Sequence, residues 1–244
     1  MDEDLADIQY SPIREYNFAQ YFKEVQFNDK TLSETERKGL VAELDETIAQ
    51  FSVGLPLMHD TLESTRDKHD EFHEINRTVV SVIFFVLTSM IDILVACKYF
   101  VMASADYDRR FMRGKLMVIL NEGFKRLYGF DEKTHKKSEW KRLLPLLDYF
   151  PEIIRVQYYE LTVLLEKRSK TFSWWKEERN VETHLDAEKL YDSRQEEIIE
   201  SRVMMDSMKL FDTLLAVDDF LTNVNSCIHN FLVEKYKRGE ITPD

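Results

Sequence analysis

The sequence predicts an all-α protein, a single-domain bundle of about seven or eight helices. Three observations carry that prediction. Glycine and proline together account for only 11 of 244 residues, too few for the many turns a sheet protein of this length needs. Apolar residues recur at three- and four-residue spacings through most of the chain, the period of a helix with one buried face. Residues suited to helix starts and stops (Ser33, Asp106, Gly129, Pro151) stand where those periodic stretches begin and end,.

Taken in order, residues 1–11 read as a flexible tail, acidic and without the apolar core of a signal peptide,. Ser11-Pro12 is expected to open a helix that runs to about Phe27, proline being suited to a first turn. Thr31 or Ser33 caps the next helix, with Glu34 and Glu36 in its first turn. Leu40, Leu44, Ile48 and Phe51 form its buried stripe. Gly54 and Pro56 interrupt the pattern, which resumes through Met58 and Leu62. A long apolar helix is expected from about Asp67 to Ser104. Its uncharged run, Thr78 to Ile91, lasts 14 residues before Asp92. That falls short of the ~20 apolar residues of a membrane span, so it reads as the central buried helix of a soluble bundle and no membrane is expected.

A capped restart at Asp106 or Asp108 leads to a helix ending near Tyr128, stopped by Gly129. Residues 130–137 read as a basic loop and Trp140–Leu147 as a short helix. A helix from Pro151 to about Lys170 follows, then a connector at 171–178. A helix over about 180–198 and a last one over about Ser201–Lys237 complete the domain, 12–238. The last buries Met204, Met208, Phe211, Leu215, Phe220, Val224, Ile228 and Leu232,. Residues 239–244 form a tail.

The net charge of −12 is unevenly spread. Residues 107–179 hold 17 Lys+Arg against 11 Asp+Glu, and the remainder 16 against 34. A basic third in an acidic chain can mark a surface that meets a polyanion. All three tryptophans, Trp140, Trp174 and Trp175, lie in it, either as part of that surface or as core anchors. Cys97 and Cys227 sit in apolar helical patterns, which suits reduced thiols in a cytoplasmic protein.

The chemistry-bearing string is Arg179-Asn180-Val181-Glu182-Thr183-His184. On a helix, Asn180 and His184 share a face, and Tyr191 continues the same stripe. At a helix start Arg179 could turn toward the imidazole, beside unpaired N–H groups that favour a phosphate. His184 would exchange a proton near neutral pH, Arg179 would hold an anionic phosphorane, and Asn180 would orient it. RNA supplies its own nucleophile, so no metal or cofactor is called for.

The spacing Arg-x4-His with Asn after the arginine resembles the motif of the HEPN superfamily. The resemblance implies an all-helical, HEPN-like core with extra helices, RNA or nucleotide binding, and for many members metal-independent endoribonuclease activity of toxin or defence type. It also implies a homodimer whose motifs meet in one cleft, with an antitoxin as a further partner. By resemblance the catalytic residues are Arg179, Asn180 and His184; Tyr191, on the same helical stripe, and Glu122, a carboxylate that could hold the arginine, are accessory candidates read from the residues themselves. The competing expectation is a non-catalytic helical protein that binds partners or a nucleotide.

Other groups read as structural. Arg66 and His73 satisfy a looser Arg-x6-His. His69 and His73, four apart, could share a metal on a helix, but a solvated face is the stronger reading. Glu122, in an apolar stretch, needs a partner, expected to be Arg126 four residues on. Asp92 needs one from another helix, for which Arg113 is the candidate.

Overall fold

Asp70 starts the helix around which most of the others pack. Its carboxylate accepts from the backbone N–H of His73 at 3.1 Å, and the helix Glu71–Met102 follows. The computed structural model describes residues 11–14, 33–175 and 193–238, and every regular element among them is a helix. In chain order these are α1 (Glu34–Ser52), α2 (Leu55–Ser64), α3 (Glu71–Met102), α4 (Asp106–Val118, continued by a π-helical stretch Ile119–Gly123 and by Phe124–Leu127), α5 (Glu132–His135), α6 (Glu139–Leu143, running into a 3₁₀ turn Leu144–Tyr149), α7 (Glu152–Phe172) and α8 (Ser193–Lys237).

The sequence of α3 explains its central place. Val79, Val82, Val86, Met90, Ile93, Cys97 and Val101 alternate by three and four residues and are all fully buried. α1, α2, α4, α6 and α8 each pack against this helix. It is long and apolar enough to cross a membrane, but most of its apolar stretch is buried inside the bundle, as in a soluble protein. α8 supplies the second wall. Met204, Met208, Phe211, Leu215, Phe220, Val224 and Ile228 are all buried.

Local signals set several boundaries. Ser33 and Glu36 form the reciprocal capping box of α1,. Pro56 sits in the first turn of α2,. Arg77, on α3, donates to the carbonyls of Thr65, Arg66 and Lys68 at 2.6–3.2 Å and closes the end of α2. Gly129 ends α4 at φ +89°, where an added Cβ would lie 2.4 Å from the backbone N of His135, so only glycine fits that turn.

Four expectations are corrected. Residues 11–14 are not helical. They run as an irregular segment whose backbone bonds to side chains of α7 and α8, and the rest of the expected helix to Phe27 lies outside the described residues. The basic loop 130–137 contains α5, nucleated by a capping box between Asp131 and Thr134. No break separates a helix ending near 198 from one starting at 201, because α8 runs unbroken from Ser193. His69 precedes the helix that carries His73, so the two do not share a helical face. His73 instead pairs through Nδ1 with Asp70, and Arg66 pairs with Glu63 at 2.5 Å.

One group on α8 makes stability pH-dependent. Burial, with a smaller push from the adjacent Asp219 charge, raises the Asp218 carboxyl to about 6. Below about pH 4 both folded and unfolded chains hold that proton. Between there and pH 6 only the folded chain keeps it, so stability falls as pH rises and then levels off. Asp218→Asn is expected to stabilise the protein at pH 8 by roughly 1–3 kcal/mol, a gain that vanishes below pH 4. Thermal melts at the two pH values check both the size and the sign.

Candidate functional site

Two features built on the basic third adjoin one another. The first is built on the π-helical stretch Ile119–Gly123. A π turn inserts a residue into the helical ladder and re-aims the side chains after it, and such turns are frequent at functional sites. Here Leu120 and Asn121 face inward, while Glu122 stays 45% exposed. Glu122 opens on a cleft of about 560 Å³ lined by Asn121, Glu122, Lys125, Arg126, Phe130, Asp131, Lys133, Thr134 and Lys137. Four cations face two carboxylates there, a basic balance that suits an anionic ligand.

The pairing within the cleft differs from the expected one. Glu122 bonds Lys125 at 3.3 Å. Arg126 leaves its helix and donates to Glu139 at 3.1 Å, while its guanidinium lies 4.6 Å from the centre of the Phe85 ring. Helical spacing allowed the Glu122–Arg126 contact, but Glu139, only 10% exposed, is the more demanding carboxylate and also draws Arg142. Asp92 is likewise not buried against a partner helix. It lies on the exposed side of α3, with its carboxyl raised above the ordinary range by partial burial. Lys98 pairs with Asp45 at 2.5 Å.

The second feature anchors the chain just before the motif. Trp175 is fully buried, and its indole N–H donates to Asp206 Oδ2 at 3.0 Å. Asp206, itself buried, also accepts from Lys209 at 2.8 Å and faces Arg202 at 3.6 Å. The Arg202 guanidinium sits 3.5 Å above the Trp174 ring, a cation–π contact that closes the cluster. The tryptophans therefore serve as core anchors. Trp140 and Trp175 are fully buried, which overturns their reading as surface groups for a polyanion.

The two features adjoin. Phe172, three residues before Trp175, packs on Phe124 with ring centres 4.7 Å apart. Gly123, beside Glu122, lies against Leu210 of α8, one turn beyond Asp206. The chain that continues into the Arg179 string thus departs from a fixed point next to the basic cleft. Arg179, Asn180, His184 and Tyr191 themselves lie outside the described residues. Asp206 and Arg202 were missed by the sequence reading. The signal was available in Asp206, a lone carboxylate inside the apolar string Val203-Met204-Met205-Asp206, where a charge persists only with partners.

No protein-family model, curated protein or solved structure matches the chain.

Proposed function

We propose that the chain is a HEPN-like RNA-acting protein that cuts RNA without a metal, in the toxin or defence setting common to that superfamily, and that it works as a homodimer. The supporting observation is the Trp175 anchor. It holds the chain four residues ahead of the Arg179–His184 string, and the basic third of the chain also forms a cleft whose lysines suit a phosphate backbone,.

In the proposed reaction the 2′-oxygen of a ribose attacks the adjacent phosphorus and the bond to the 5′-oxygen of the next nucleotide breaks. The products are a 2′,3′-cyclic phosphate and a 5′-hydroxyl. His184 takes the 2′-proton or returns one to the leaving oxygen. Arg179 holds the non-bridging oxygens as their charge grows, and Asn180 orients the phosphate. Glu122 and Tyr191 stand as accessory groups, Glu122 restraining a cation of the cleft through Lys125.

The test incubates the purified chain with mixed RNA in the presence of a chelator and looks for 2′,3′-cyclic phosphate ends. His184→Ala and Arg179→Ala are each expected to reduce cleavage by about 10²–10⁴-fold with the thermal melt unchanged. Cleavage equal to that of the unaltered chain would retire the catalytic assignment. The fold would then serve as a partner-binding or nucleotide-binding scaffold.

A further inference from the structure

Residues Ser11–Arg14 lie across the seam between α7 and α8, held by side chains that read backbone. The Ser11 N–H donates to Asn223 Oδ1 at 3.2 Å, and Asn223 Nδ2 donates to the Ser11 carbonyl at 2.8 Å. One amide thus takes both backbone groups of one residue, the two-point pairing a neighbouring β-strand would give. Gln157, on α7, donates to the same carbonyl at 3.2 Å, and its own carbonyl accepts from Asn223 at 3.1 Å. One turn before Asn223, Asp219 accepts the N–H of Arg14 at 3.1 Å. Ile13 packs on the core between these fixed points.

The two amides are almost fully buried, Asn223 at 4% exposure and Gln157 at 6%. Buried amides need partners, and the partner here is an extended stretch of main chain. None of these hydrogen bonds uses a side chain of the segment, so the seam selects extended backbone first. Selectivity then follows from what fits. Proline at the second position offers no N–H that would need a partner. An apolar residue comes third, and the Asp219 carboxylate, which takes the N–H of the fourth residue, favours a basic side chain there.

We infer that the α7–α8 seam is a groove for an extended peptide of the pattern polar–Pro–apolar–basic, that Ser11–Arg14 occupy it as a built-in ligand, and that a partner protein carrying such a segment displaces them. The occupant seen in the groove defines that chemistry. The inference does not depend on the RNA reading.

Hydrogen exchange on the full chain tests it. The amide of Ser11 is expected to exchange about tenfold or more slowly relative to Asn223→Ala. A synthetic octapeptide covering residues 9–16, added in excess to the unaltered chain, is expected to return Ser11 and Arg14 most of the way to the fast rate. The same peptide with Ile13→Asp should leave them protected. A fluorescent copy of the octapeptide should bind the full-length Ile13→Asp protein at least about tenfold more tightly than the unaltered chain, whose groove is already filled. A protected Ser11 that excess peptide cannot release, or equal peptide binding by the two proteins, would show a fixed structural strap and overturn the proposal. The peptide arms use variants that leave the bundle intact, so the test stands even if Asn223→Ala fails to fold.

Discussion

Asp206→Ala is expected to cost about 3 kcal/mol of stability, read as an earlier urea midpoint with an unchanged slope. The carboxylate is 2% exposed and serves three donors, the Trp175 indole, Lys209 and Arg202. Removing it strands the indole N–H inside the core, at roughly 1–3 kcal/mol. It also leaves two cations beside an apolar wall. Lys209 and Arg202 are 29% and 40% exposed and can turn to water, which keeps the loss near the low end for a broken buried pair. Asp206→Asn retains an acceptor for the indole and is expected to cost only about 1 kcal/mol. The functional consequence separates the two variants further. Under the RNA reading, the alanine variant at a temperature where it remains folded should lose most of its cleavage, because the anchor of the Arg179 string is gone. The asparagine variant should keep most of it. Equal cleavage by both would detach the anchor from catalysis.

Where the chain's own neighbours decide a structure, the sequence was readable. Ser33 with Glu36, Pro56 at the head of α2, the three–four alternation from Val79 to Val101 and the stop at Gly129 each depend on a few adjacent residues. The failures share a different cause. Ser11-Pro12 has the local form of a helix start, but residues 11–14 are irregular and the Ser11 backbone is taken by Asn223 and Gln157, far along the chain. Glu122 and Arg126 stand at a favourable spacing, but Glu139 arrives from α6 and takes the arginine. The π-helical stretch Ile119–Gly123 was not anticipated, because one inserted residue shifts a helical stripe without interrupting it. Of the candidate site, Glu122 is the one nominated residue whose surroundings are described. The cleft that it opens on was foreshadowed only by the charge count of its third of the chain. The roles of Arg179, Asn180, His184 and Tyr191 rest on sequence.

Trp140→Ala should be the most damaging substitution in the core, at about 4–5 kcal/mol. The ring is fully buried and stacks on Tyr158 with centres 4.6 Å apart and planes 1° from parallel. Phe220 of α8 packs against it at 5.3 Å, so one side chain joins α6, α7 and α8. Its N–H donates to Thr162 at 2.9 Å, and Tyr158 returns a bond to the Trp140 carbonyl at 3.2 Å. Burial holds the Tyr158 hydroxyl protonated far above neutral pH, so that donor is present whenever the protein is folded. Alanine would remove the stack, open a cavity at the junction and leave the Thr162 hydroxyl without its donor. Against a total stability of about 5–15 kcal/mol for a domain, that is a loss of roughly a quarter or more. Trp140→Phe keeps the stack and gives up the indole bond and some volume, at about 1–2 kcal/mol. Gln157 is the immediate neighbour of Tyr158, and Asn223 lies one turn beyond Phe220. A junction loosened by the alanine variant should therefore also speed exchange at Ser11, while the phenylalanine variant should leave Ser11 protected. Fast exchange at Ser11 in both variants would mean that the indole hydrogen bond, not the stacked ring, sets the spacing of the α7–α8 groove.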